Sequence, residues 1–391
     1  MRFGGLLSSP PARLGGSTIT DEAAAQEAAE PQVGRQGAAE SRLGAGAGAR
    51  TGALLERWSG RPLLVAVAAL NVVTGLGAAV ILAPLIYGDD ADLFRRCALY
   101  LAEGRTGCNF PYPPLTALVA RPLTWVSPGA AAIVMTVIGL VILLAGVWLE
   151  TRGHAPVDRV LVGVAVLGFA PVVYELLLGQ TTLLIAASLY PVVRRPDTPR
   201  SGVALGVMMA LAPKPMLLPV LAWMLFWRQR AIATALLTAA VLTGLGVALA
   251  GLEQYLGWLS VATGFGHVSL TGNFARGNFS LLNHGLNPAV LALAGVIGAA
   301  TLWTIVRDSD RGFVAALFAS LLLAPYTLVY VVSILLLGVR PALTFAPRAT
   351  RLLALVANPT LLFLSGLAAW SVLGLAACLP WSRRSDGDIG R

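Results

Sequence analysis

Between Leu63 and Tyr87 the chain runs about 25 residues without a charged side chain. A helix of that length crosses the roughly 30 Å hydrocarbon core of a bilayer. Lipid offers no partner to backbone N–H and C=O groups, so such a segment has one stable spanning form, the α-helix. Further apolar stretches lie near 129–149, 160–175, 181–193, 201–212, 214–227, 231–250, 288–306, 312–324 and 327–339. A last one, 352–380, contains Asn358-Pro359 and reads as one long span or a tight hairpin. Only 12% of the residues are charged, against roughly 25% in soluble domains. That excludes a soluble enzyme, a disordered chain and a nucleic-acid binder. The net charge of +9 belongs to membrane-flanking loops, not to a phosphate-binding face. The fold class is therefore an all-α polytopic membrane protein.

Residues 1–56, rich in Ala, Gly, Glu, Gln and Arg, bury too little apolar surface to offset their ordering entropy and read as a disordered tail. Residues 57–381 form the transmembrane domain, and 382–391 a polar C-terminal tail. Arg-bearing breaks follow one another at Arg152 and Arg159, Arg194 to Arg200, Arg228 and Arg230, Arg307 and Arg311, Arg340 to Arg351, and Arg383 and Arg384. With these breaks and the tail inside, 22 of 27 Arg are cytoplasmic, which sets a multi-pass plasma-membrane protein with a cytoplasmic N-terminus. Ten to twelve spans result. Several are short and Pro-broken, as at Ala212-Pro213-Lys214-Pro215. Broken helices at membrane depth must face protein or a water-filled cavity.

Two external loops stand out, Gly88–Pro113 and Leu252–Asn287. In the first, Asp90–Glu103 is predicted to form an amphipathic helix with Phe94, Cys97, Ala98 and Leu101 on one face. Tyr112–Val126 is too short for an ordinary span and reads as interfacial or re-entrant. External carboxylates are scarce: Asp89, Asp90, Asp92, Glu103, Glu175 and Glu253. Three of the six sit together after the first span, where an acidic residue is either functional or a helix cap. Lys214 is the single Lys among 28 basic residues; it reads as a phosphate ligand or as a snorkelling interfacial cation. Cys97 and Cys108 share the first loop and are either bridged there or, for Cys97, buried as a thiol. No His/Cys/Asp/Glu cluster has metal-ligand spacing, so neither metal nor cofactor is expected.

Asp90 through Gly104, then Phe110-Pro111-Tyr112-Pro113-Pro114-Leu115, resembles the opening of glycosyltransferase family 87. The resemblance continues through Leu178-Gly179-Gln180, Gly202–Pro219 with its Gly-x-x-x-Gly leading into Lys-Pro, and Gly277-Asn278-Phe279-Ser280. It implies a GT-C-like bundle with broken helices and two external loops. It also implies transfer of mannose, or of arabinofuranose, from a polyprenyl-phosphate sugar to a lipid-linked or polysaccharide acceptor on the outer face. The general base carries over onto Asp90, with Asp89 and Asp92 as neighbours one alignment slip away.

The physical reading agrees with this. A sugar hydroxyl is a poor nucleophile and needs a base, while a departing phosphate needs cations or dipoles. Lys214, His284 and Arg276 are the donor-phosphate candidates. Tyr112, Glu175, Gln180, Asn278, Arg95 and Arg96 are the sugar or acceptor candidates, although Glu175 and Gln180 could equally cap helices and the two Arg could hold anionic lipid. One departure is plain. Where the family carries Trp and His, this chain has Ala324-Pro325-Tyr326-Thr327-Leu328-Val329-Tyr330, without His. A transporter or flippase, or a degenerate family member acting as a scaffold, are the competing functions; a transporter would place its polar residues at mid-depth and show internal repeats.

Overall fold

The computed structural model describes residues 60–105, 112–269, 280–281, 287–324, 327–362 and 364–379, all within the unit Leu55–Arg391. The tails 1–56 and 382–391, residues 270–279 and 282–286 of the second loop with Arg276, Asn278 and His284, and Cys108 lie outside the described residues. Every regular element among those described is helical.

The first helix, α1, runs Arg61–Ile86, followed after Gly88 by α2, Asp89–Ala102. At 26 residues α1 is about 39 Å long, enough to cross a membrane by itself. The amphipathic prediction holds for α2, which buries Ala91, Phe94, Cys97 and Ala98, while Asp89 and Arg96 are exposed. Its three first-turn Asp residues suit the positive end of the helix dipole. Tyr112–Val126 resolves into a short helix α3, Pro114–Val119, and a 3₁₀ turn, Arg121–Trp125, in keeping with a segment too short to span.

Next come α4, Pro128–Glu150, and a pair, α5 (Pro156–Leu167) and α6 (Ala170–Leu178), bent by 63°. Gly168 and Pro171 flank the bend, and Pro171 supplies no N–H to continue the ladder. Two 13-residue helices, α7 (Thr182–Arg194) and α8 (Pro199–Leu211), follow, then a 3₁₀ turn at Pro215–Leu217 leading into α9, Leu218–Trp227. Residues 229–250 form α10 (Gln229–Ala250) and are succeeded by α11, Leu252–Ser269. The front half of the expected second loop is thus helical. Glu253 sits in its first turn and no proline interrupts it, a pattern hidden by its glycines. The remainder comprises α12 (Pro288–Arg307), α13 (Ser309–Leu323), a ten-residue 3₁₀ helix Val329–Gly338, α14 (Val339–Phe345), α15 (Pro347–Leu362) and α16 (Leu364–Cys378). The stretch 352–380 is therefore carried by two helices.

Among the described residues four stretches are long and apolar enough to cross a membrane, namely 61–102, α4, α10 and α12, or five with the bent pair. The count of ten to twelve requires the apolar helices of 10–17 residues to be spans as well. Lipid-facing character is visible in the outward side chains, with Val80 76% and Leu237 65% exposed. Close packing of α8 on α10 follows from small residues: a methyl at Gly202 or Gly206 would run into the Ala231 or Ala235 backbone.

Ionic contacts mark one end of the bundle. Arg61 pairs with Asp158 at 2.8 Å, and Glu150 pairs with Arg194 at 2.5 Å and Arg340 at 3.5 Å. Arg228 donates to the Val192 carbonyl at 2.9 Å. Since α1 leaves this end and α4 and α7 arrive at it, the α1–α2 junction and the α6–α7 turn lie at the opposite end.

Cys97 is disulfide-bonded and Cys378 is free. Protein isolated without reductant and unfolded should show one thiol per chain, rising to three on reduction, in line with its three cysteines. Three thiols before reduction would rule out the bridge.

Candidate active site

The end of the bundle remote from the Arg contacts holds a polar cluster built by chain breaks. Helix α6 stops at Gly179, whose left-handed backbone (φ 72°) any side chain would strain. A methyl at Gly179 would press on Ala91 and Met135 at 3.1 Å. This contact sets the α6–α7 turn against the first turn of α2, and the Gly88 N–H donates to the Leu177 carbonyl at 2.7 Å beside it. Gln180 is thereby placed next to Asp90.

Helix α8 ends before Pro213, and Lys214, held extended by the proline on its C-terminal side, turns inward at 8% exposure. The Thr116 hydroxyl donates to the Leu211 carbonyl and fixes α3 to this break.

Gln180 is the hub. Its amide N–H donates to Asp90 Oδ2, and its carbonyl oxygen accepts from Tyr112 Oη at 2.9 Å and Lys214 Nζ at 3.5 Å. That orientation is dictated chemically, because an ammonium can only donate and a carboxylate only accept. Lys214 also donates to Thr182 Oγ1 at 3.1 Å and lies 5.1 Å from the Tyr330 ring centre. The Tyr330 ring stacks on Tyr174 at 6.3 Å. Glu175, 1% exposed, accepts from the Leu183 N–H at 3.0 Å through Oε1, while Oε2 has no hydrogen-bond partner.

Lys214 thus sits between two carboxylates, Glu175 and Asp90, which both interact with it electrostatically. Asp90 lies in the first turn of α2.

Five of the candidates therefore share one constellation: Asp90, Tyr112, Glu175, Gln180 and Lys214. Others lie apart. Asp89 is exposed, and Asp92 is held by Arg96 at 2.9 Å and Arg95 at 3.9 Å along the same helix. Arg95 additionally donates to the Val126 carbonyl at 3.1 Å. The i,i+3 and i,i+4 spacing of these pairs was legible in the sequence. Thr181, Thr182 and Tyr174 belong to the cluster without any signal in the sequence to single them out. Ser280, at the end of the Gly277–Ser280 motif, is fully buried and donates to the Ala324 carbonyl, on the same side of the bundle as Tyr330. Among the described residues no group of three or more His, Cys, Asp and Glu could hold a metal ion.

Residues 110–333, 224 of 391, match the family described as glycosyltransferase family 87. Over 207 residues the chain is 28% identical to the polyprenol-phosphate-mannose-dependent alpha-(1-2)-phosphatidylinositol mannoside mannosyltransferase of Mycobacterium tuberculosis, covering 44% of this chain and 48% of that protein. The chain spans about half the length of the curated relative it matches. No solved structure matches it. The family segment begins twenty residues beyond Asp90 and takes in Tyr112, Glu175, Gln180, Lys214 and Tyr330. With more than half of its length matched, the chain belongs to glycosyltransferase family 87.

Proposed function

We propose that this membrane protein transfers a hexose, mannose in the first place and arabinofuranose as the pentose variant, from a polyprenyl-phosphate donor to a lipid-linked or polysaccharide acceptor on the outer face of the plasma membrane. The N-terminus is taken as cytoplasmic on the positive-inside distribution of Arg; the contacts of Arg61, Arg194 and Arg340 at the end remote from the polar cluster support that orientation. The observation that carries the reading is the hydrogen-bonded run from Asp90 through Gln180 to Lys214, a base and a cation held by one amide.

Asp90 is the general base: as the acceptor hydroxyl attacks the anomeric carbon, its proton passes to the Asp90 carboxylate, which returns it to solvent afterwards. The bond from the anomeric carbon to phosphate oxygen breaks, and the polyprenyl phosphate leaves with an added negative charge. Lys214 meets that charge, with His284 and Arg276 of the second loop as assisting donors. Three donors on a flexible stem suit a phosphate monoester. One displacement inverts the anomeric centre, so a β-linked donor gives an α-linked product. Tyr112 and Gln180 orient the hydroxyl side of the site, with Asn278, Arg95 and Arg96 assigned to the acceptor.

The location suits a lipid-borne donor. Helices α7 and α8, at 13 residues each, are about 20 Å long, short of the roughly 30 Å apolar core. Their site-side ends meet the cluster through the chain breaks that carry Gln180 and Lys214, where a phosphate attached to a buried chain can approach.

The test is transfer by the full chain reconstituted in vesicles, with polyprenyl-phosphate mannose and polyprenyl-phosphate arabinofuranose offered separately alongside a phosphoglycolipid acceptor. Release of polyprenyl phosphate and an α-linked product by NMR are expected with one donor. No release with either donor, across lipid and polysaccharide acceptors, would overturn the reading.

A further inference from the structure

At the Arg-marked end, far from the polar cluster, a cavity of about 460 Å³ lies between the first turns of α1, helix α5, α13, the long 3₁₀ helix and α14–α16. That volume falls in the range of small-molecule and lipid-chain pockets. Its walls are almost wholly apolar, with Val67, Phe318, Leu335, Ala342 and Ala354 representative. Asn71, the polar residue at its deep end, is 6% exposed and already spends its amide on the Ala165 carbonyl at 2.6 Å. Water thus finds few partners inside.

Two observations say what fills it. Along α1 the lining runs from Gly60 to Asn71, eleven residues or about 16 Å. That is close to half of the roughly 30 Å core, the depth of one leaflet's acyl chains. At the rim stands Arg351, half-buried, with Arg348 one turn earlier on the same helix. Neither makes an ion pair among the described residues, unlike Arg340, which is held by Glu150. Residues 339–379 contain no Asp or Glu. A cation with no ion pair among the described residues, at the mouth of an apolar slot of one-leaflet depth, complements a phosphate head group over a hydrocarbon chain.

We infer that this cavity is a binding site for one acyl chain of an anionic phospholipid of the Arg-side leaflet, its phosphate held by Arg351 and Arg348. The site is separate from the polar cluster and independent of the transferase reading.

The experiment is to purify the full chain in mild detergent, wash extensively, and quantify retained phospholipid per chain by mass spectrometry. The wild type is expected to keep about one anionic phospholipid. Ala342→Trp, which fills the slot, should lower retention at least about fivefold, and Ala354→Phe, placed on another wall, should do the same should the first variant fail to fold. Arg351→Gln should keep a lipid but shift it from anionic to zwitterionic head groups. Equal retention and equal head-group composition in wild type and in monodisperse cavity-filled variants would overturn the proposal, as would wild-type protein free of phospholipid.

Discussion

Asp90→Asn is expected to reduce turnover by at least about a hundredfold while leaving donor binding little changed. The substitution preserves shape and removes basicity, so the loss reports proton abstraction alone. Gln180 donates to Asp90 Oδ2 in the native protein, and an Asn carbonyl at that position can accept the same bond. The neighbouring carboxylates provide the control. Asp89 is exposed and Asp92 is engaged by Arg95 and Arg96, so Asp89→Asn and Asp92→Asn should each retain most activity. A dead Asp92→Asn beside a fully active Asp90→Asn would move the base by half a helical turn; three silent substitutions would end the transferase mechanism.

Lys214→Ala should weaken donor binding and turnover together, by about 10²–10³-fold in kcat/KM. Both effects are expected because the ammonium faces phosphate in the bound donor and faces more negative charge as the bond breaks. Folding must be separated from chemistry here. Lys214 lies between Asp90 and buried Glu175, whose Oε2 has no hydrogen-bond partner. Removing the cation alone leaves a carboxylate uncompensated, a change that costs about 3–5 kcal/mol at buried pairs. The double substitution Glu175→Gln with Lys214→Met removes both charges and should recover thermal stability without recovering turnover. Recovery of both would make Lys214 a structural partner of Glu175 and no more.

Much of the architecture is readable from local pattern. The length of α1, the amphipathic face of α2 and the break at Pro213 follow from hydropathy period and from proline's missing donor, whereas the 63° bend inside the apolar stretch 160–175 does not show in its hydropathy. The stretch Leu252–Ser269 was not readable in the same way, because its glycines and polar residues mask the helix. The ionic role of Arg95 and Arg96 was present in their spacing from Asp92, yet an external Arg invites a ligand before a neighbour three residues away.

By itself the sequence determined a helical membrane protein, because the bilayer admits few alternatives for apolar segments of these lengths. Which polar residues meet was decided only by tertiary structure. Asp90 and Gln180 are 90 residues apart, and Gln180 and Lys214 are 34 apart. What joins them is the approach of the Gly179 turn to Ala91 and the inward turn of an extended Lys between two prolines. Those are contacts between backbones distant in the chain, and no local period encodes them.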